Sequence, residues 1–395
     1  MGLESWLKEV EVRAREGLSR PSPFGVDVDI SSFLEVKEGS PRLDEAKVKE
    51  VGVDLSAKTL YMQIDQMYYR YISRIPGVEI MRIEDFAETY PEEAKEYLWK
   101  LVDPGKDKYT ALAALKGRGG YFIRVKKGVK VEEPIMACLF MSIGGLQAPH
   151  NVVIVEKGAE ATVYTGCTIA PEALGLHVGI SEFYVEENAV LRFVMVHSWN
   201  RVSHVRPRTG VYVKQSGKYI SYYVNLAKVK TLQTYPIVHL SDNAYAYLAS
   251  IVLSFEDAYI DVGSAANLDG ENASVEIVSR SLARDTSNIV ARASITAKQG
   301  RGHIDCRGLM LSNRASIKTI PELQALTPNA ILTHEASIGR LAEDEINYLI
   351  SKGFEKEEAV AILLRGFVNV EIKGLPQKVK EYIETIERLT VEKSM

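Results

Sequence analysis

The sequence predicts a mainly β protein whose middle is a stack of β-coils, with helical units before and after it. Three observations carry that expectation. A turn signal returns about every 28 residues through the middle third of the chain. Short runs rich in β-formers flank each turn, and helical spacing is confined to the two ends. The turns read Glu156-Lys157-Gly158-Ala159, Glu187-Asn188-Ala189, Gln215-Ser216-Gly217, Asp242-Asn243-Ala244, Glu271-Asn272-Ala273 and Gln299-Gly300, and runs such as Val152-Val153-Ile154-Val155 and Ile220-Ser221-Tyr222-Tyr223-Val224 lie between them. A fixed period of this kind means that each coil packs on the next, so residues one period apart lie on neighbouring coils, roughly 5 Å apart.

Residues 1–110 read as an N-terminal helical domain. Trp6, Leu7, Val10 and Ala14 share one helical face, and Pro21-Ser22-Pro23-Phe24-Gly25 follows that helix. Ile83 to Leu101 carries apolar residues at further helical spacings, and Asp103-Pro104-Gly105 closes the unit. The coil stack occupies 111–335, with the switch to period two near Gly119. Pro134 to Met141 and Val190 to Val196 are apolar nearly throughout, as expected of strands covered on both faces. Residues 336–395 read as a C-terminal helical domain. Its first helix begins at Glu343-Asp344-Glu345, its second carries Val360, Leu363, Leu364 and Phe367 on one side, and its third runs through Val379, Tyr382, Ile383, Ile386 and Leu389. This unit is expected to cap the last coil, which would otherwise leave an open edge.

Composition narrows the function. A hydrophobic share of 46% and a charged share of 25% fit a soluble globular chain, and a net charge of −4 gives no basic surplus for nucleic acid. No apolar run approaches the roughly 20 residues of a membrane span, and no secretory core opens the chain, so a cytoplasmic location is expected. The three cysteines, Cys138, Cys167 and Cys306, form no C-x-x-C pair and too sparse a set for a disulfide framework. A four-cysteine iron–sulfur site within one chain is excluded by arithmetic. Nucleotide-binding loops and the serine nucleophile elbow are lacking, so any ATP hydrolysis belongs to a partner.

The reactive side chains fall into two groups. Cys167 lies eight residues past Ala159 and His197 eight past Ala189, so the repeat stacks one on the other, with Trp199 on the face of His197. Such a pair can bind iron or pass sulfur through a histidine-assisted thiolate; it equally fits a buried thiol beside a hydrogen-bonded imidazole. Cys306 and His334 are again one period apart, and Glu335 joins them if the chain bends there; the same residues also fit a structural histidine and an acid leading into the cap. The two groups stand about five coils, roughly 24 Å, apart. Cys138 reads as core, and His177 with His204 as a third ladder.

Together these residues resemble the SufB/SufD family of iron–sulfur cluster assembly scaffolds. The segments that carry the resemblance are Pro21-Ser22-Pro23-Phe24-Gly25, Gly166-Cys167-Thr168, Val196-His197-Ser198-Trp199 and Thr333-His334-Glu335-Ala336-Ser337-Ile338-Gly339-Arg340, followed by Ser351-Lys352-Gly353-Phe354 and Leu364-Arg365-Gly366-Phe367. The resemblance implies a right-handed parallel β-helix (a β-solenoid) between helical domains, acting as a non-catalytic scaffold for a transient iron–sulfur cluster. It implies SufC, an ABC-type ATPase, docked on the C-terminal helices through Val360, Leu363, Leu364 and Phe367. A homodimer or SufB/SufD-type heterodimer and a sulfur donor protein complete the partners, and a flavin is allowed. Cys306, His334 and Glu335 become candidate cluster ligands, and Cys167, His197 and Trp199 candidate sulfur-handling residues. Two departures stand out: Ala315 falls where SufB carries a second cysteine, and His197 where it usually has glutamine. They favour the single SufB/SufD-type subunit of a simpler, archaeal-like system. A metal-free, SufD-like activator of the ATPase is the alternative. The paired groove carboxylates and secretion signal of a β-helix carbohydrate-active enzyme are not evident.

Overall fold

The expected turns form a column. In a computed structural model of the chain, which describes residues 3–34, 40–225, 228–368, 381 and 384, Gly158, Asn188, Ser216, Asn243, Asn272 and Gly300 all take positive φ. Asparagine and glycine tolerate that left-handed geometry best, which is why they recur there. The turns bond to one another: the Gly158 amide donates to the Glu187 carbonyl, Asn188 to Gln215, Ser216 to Asp242 and Asn243 to Glu271, at 2.9, 3.1, 2.9 and 2.7 Å. Ala159, Ala189, Ala244 and Ala273, each one residue on, are buried in the core between the sheets.

Between the turns run two parallel sheets. In the first, Thr59–Ile64, Ile135–Met141, Glu160–Ile169, Val190–Ser198, Lys218–Asn225, Tyr245–Ser254, Ser274–Ala283, Gly300–Met310 and Ala330–Gly339 lie side by side in chain order. The second sheet begins as two lanes, separated at successive coils by Pro149, Val178-Gly179, Pro207 and Pro236. A proline has no amide hydrogen for the ladder, so each interrupts the pairing. The lanes merge on Tyr259–Leu268, whose first half pairs with Thr231–Thr234 and whose second half pairs with Ile237–Leu240. The result is a β-solenoid of about eight turns with helices at both ends.

The inward faces of both sheets make one long core from Tyr61 to Ala315. The outward face of the first sheet is also covered, which explains its apolar strands. Val48, Val51 and Val53 lie over Tyr164, Val194 and Val196, and the Tyr164 hydroxyl donates to the Val51 carbonyl at 2.9 Å. Gly166 is required there, because a Cβ would stand 2.6 Å from the side chains of both Val51 and Val53. On the second sheet the Glu182 carboxylate, fully buried, accepts the backbone amides of Trp99, Lys100, Leu101 and Val102 at 2.6–3.1 Å, with His150 Nε2 at 2.7 Å. The segment Pro21 to Gly25 is held to the same sheet: Ser22 donates to Gln233 at 2.6 Å and the Gly25 amide to Asp261 at 3.1 Å.

Three expectations need correction. Residues 1–110 are not wholly helical, because Thr59–Ile64 and Val78–Arg82 join the two sheets. The helix that carries the expected partner face, Lys356–Val368, does not cap the last coil. The Lys356–Val368 helix lies on the outward face of the first sheet, with Ala361, Leu364 and Val368 buried beside Val278, Leu282 and Leu309. The Ala330–Gly339 strand is left largely exposed. Finally, Leu364 is fully committed to this packing, and Val360 and Phe367 partly so, so they do not present the free apolar face expected for a partner; Leu363 is half-buried. The third helix expected from Val379 to Leu389 falls outside the described residues.

Candidate functional site

The register brings Cys167 and His197 together. Cys167 on Glu160–Ile169 pairs directly with His197 on Val190–Ser198, both fully buried and turned to the interior. The Cys167 Sγ lies 3.6 Å from the Met195 Sδ, two residues before His197 on the same face. His197 Nδ1 is 2.9 Å from the Tyr223 hydroxyl, and its Nε2 has no partner among the described residues. The Trp199 ring lies 5.4 Å from that of His197, and its Nε1 is also unpartnered. Met195, His197 and Tyr223 border an internal cavity of about 60 Å³ that continues past Ser221, Ser250 and Ser264 at the junction of the two lanes.

Burial sets the charge states here. Desolvation first, and the neighbouring Cys138 second, push the Cys167 thiol well above its ordinary range. Desolvation, with His177 adding to it, pushes the His197 imidazole well below its own. The resting pair is therefore a neutral thiol beside a neutral imidazole. His177 is lowered to about 3 by burial alone; its Nδ1 bonds the Gln147 side chain at 2.9 Å. The expected ladder of His177 and His204 does not form. Val205, not His204, pairs with His177, and one residue of slip turns His204 to the other face. Sequence reasoning missed Met195 and Tyr223, although both occupy the inward phase of their strands.

At the other end the ligands are not brought together within one chain. Cys306 pairs with Ala336, and His334 with Ile304, two residues earlier. Glu335 pairs with Asp305 on the opposite face, because the strand runs straight to Gly339 without the bend that would reunite it with His334. Cys306 is buried and its thiol is raised to about 11, chiefly by desolvation and then by Asp305, with Arg280 opposing. His334 and Glu335 are exposed. Among the described residues no group of three or more histidine, cysteine or acidic side chains is placed to hold a metal ion.

Comparison with known proteins adds a second kind of observation. Residues 140–367 match the model described as "SUF system FeS cluster assembly, SufBD core domain", and residues 35–137 match the "SufBD protein N-terminal region". An "Iron-sulfur cluster assembly SufBD family protein" from Archaeoglobus fulgidus is 42% identical over 355 residues, covering 88% of this chain and 96% of that one. A protein of the same description from Methanothermobacter thermautotrophicus is 34% identical over 392 residues, covering 94% and 95%. One from Staphylococcus saprophyticus is 29% identical over 362 residues, covering 89% and 76%.

Proposed function

The chain belongs to the SufBD family of iron–sulfur cluster assembly proteins, and on that basis we propose that it is a scaffold subunit on which nascent clusters are built and from which they are passed on. The observation that carries this reading is the open end of the solenoid. There Cys306 is buried, and His334 and Glu335 are exposed on opposite faces of the edge strand Ala330–Gly339, which is paired along one side only. One chain offers too few ligands for the usual four-ligand cluster, whereas a two-fold pair of chains doubles the set. Exposed Ile331 and Ile338 on the same strand supply apolar surface for such a pairing. Mixed thiolate, imidazole and carboxylate ligation is weak, as a scaffold that releases its cargo requires.

Cys167 and His197 act earlier, in sulfur handling. The Cys167 thiolate attacks the terminal sulfur of a donor protein's persulfide, the donor leaves as a thiolate, and His197 takes the proton that Cys167 releases. A SufC-like ATPase supplies the work of opening. Its docking surface is the exposed apolar set of Tyr348, Ile350, Phe354 and Ile362 rather than the packed Leu364.

Anaerobic titration with ferrous iron and sulfide tests the scaffold. Charge-transfer absorbance should develop in the dimer, fall sharply in Cys306→Ser and weaken in His334→Ala and Glu335→Gln. It should be lost in an Ile331→Asp, Ile338→Asp monomer. Equal cluster yield per chain from dimer and monomer would sink the interfacial site. The burial of Cys306 favours a second reading, a metal-free partner that only activates the ATPase; normal ATPase stimulation with no cluster in any form would establish it.

A further inference from the structure

We propose that Cys167, Met195 and His197 form a buried site for a soft monovalent metal ion, with Cu(I) as its biological occupant. The two sulfurs already stand at a ligating separation. Sulfurs each about 2.3 Å from one metal, at a tetrahedral angle, are about 3.8 Å apart, and the Sγ–Sδ distance is 3.6 Å. The third donor stands on the strand position paired with Cys167 and is unused. Tyr223 holds His197 at Nδ1, as outer partners hold ligating histidines, while the fully buried Nε2 has no partner among the described residues. The donor set selects the ion: a thiolate, a thioether and an imidazole suit Cu(I), and the adjoining cavity is lined by no carboxylate that would attract a hard cation. His177, its ring 6.2 Å from that of His197 and its Nδ1 on Gln147, stays outside the set.

Binding involves no redox change. Cys167 loses its S–H proton to solvent as the sulfur–metal bond forms, Met195 and His197 each donate a lone pair, and one proton leaves per ion bound. Occupation would also withdraw Cys167 from sulfur transfer; that consequence rests on the scaffold reading, whereas the site does not.

The reduced full-length chain is titrated anaerobically with Cu(I) against bicinchoninate, without iron or sulfide. One ion per chain should bind with release of one proton, and X-ray absorption should report two sulfur scatterers and an imidazole. Cys167→Ser should weaken binding by more than about 100-fold and the nearly isosteric Met195→Leu by about tenfold, since losses even at outer-shell partners span that range. Cys306→Ser should bind as the parent does, with near-ultraviolet circular dichroism checking each fold. Absent binding, undiminished binding by Cys167→Ser or Met195→Leu, or loss in Cys306→Ser would each overturn the site. Failure here leaves the cluster titration untouched, and failure of that titration leaves this one untouched.

Discussion

Cys167 with His197 and Cys306 with His334 are cysteine–histidine sets on adjacent strands of one sheet, five coils apart. The first is sealed: the N-terminal segment lies over its outward face, Cys167 and His197 are fully buried, and His197 Nε2 and Trp199 Nε1 have no partner among the described residues. The second is open: its thiol is buried, but the histidine and glutamate above it are exposed on an edge strand. The same residue types thus receive opposite environments from their position in one repeat. A sealed set is suited to hold a proton or a soft ion away from water, and an open one to be completed by another chain.

The largest contrast should come from carboxylates. Glu182→Ala removes the buried carboxylate that accepts four backbone amides and faces His150, and removing one partner of a buried charged network costs about 3–5 kcal/mol. Glu335→Gln at the open end should stay within about 0.5 kcal/mol. Urea unfolding read by circular dichroism measures both; equal losses would erase the distinction. Glycines give the next contrast. Gly166→Val should cost about 1–3 kcal/mol by overpacking against Val51 and Val53, whereas a Cβ at Gly339 meets nothing within 4 Å, so Gly339→Ala should leave the urea midpoint unchanged.

The third contrast is with pH. An unfolded histidine takes up a proton below about 6.5, while folded His177 stays neutral down to about 3. The unfolded state then binds more protons, so stability falls as pH is lowered through that window. Each such histidine contributes a slope of up to about 1.4 kcal/mol per pH unit. His177→Gln should flatten the melting-temperature profile between pH 6 and about 4, and an unchanged slope would mean that His177 is not held neutral.

The sequence showed the coil architecture because its turn column, in left-handed geometry, favours asparagine and glycine. The Cys167–His197 pairing was legible because both lie eight residues past a turn alanine and no slip intervenes. The Cys306–His334 pairing was misjudged by two residues because the coil step is not constant: Gly300 pairs with Ala330, but Lys218 pairs with Tyr245. An error of one or two residues decides the face or the neighbour of a side chain. The seat of the C-terminal helices was not legible, since an apolar helical stripe does not say which surface it covers. Glu182 could have been noticed as the one charged residue in the β-forming run Ile180-Ser181-Glu182-Phe183-Tyr184-Val185.

The ladder of bonded turns makes the molecule a one-dimensional lattice in which each coil touches only its neighbours. Such a lattice does not need to melt all at once. Clamped near its beginning by Val51, Val53 and Glu182 and free at its last strand, it should fray in one direction. Amide exchange would then form a gradient along the axis, fastest in Ala330–Gly339 and slowest around Glu160–Ile169, and the proposed pairing of two chains at the open end would act as a stopper on how far the fraying runs.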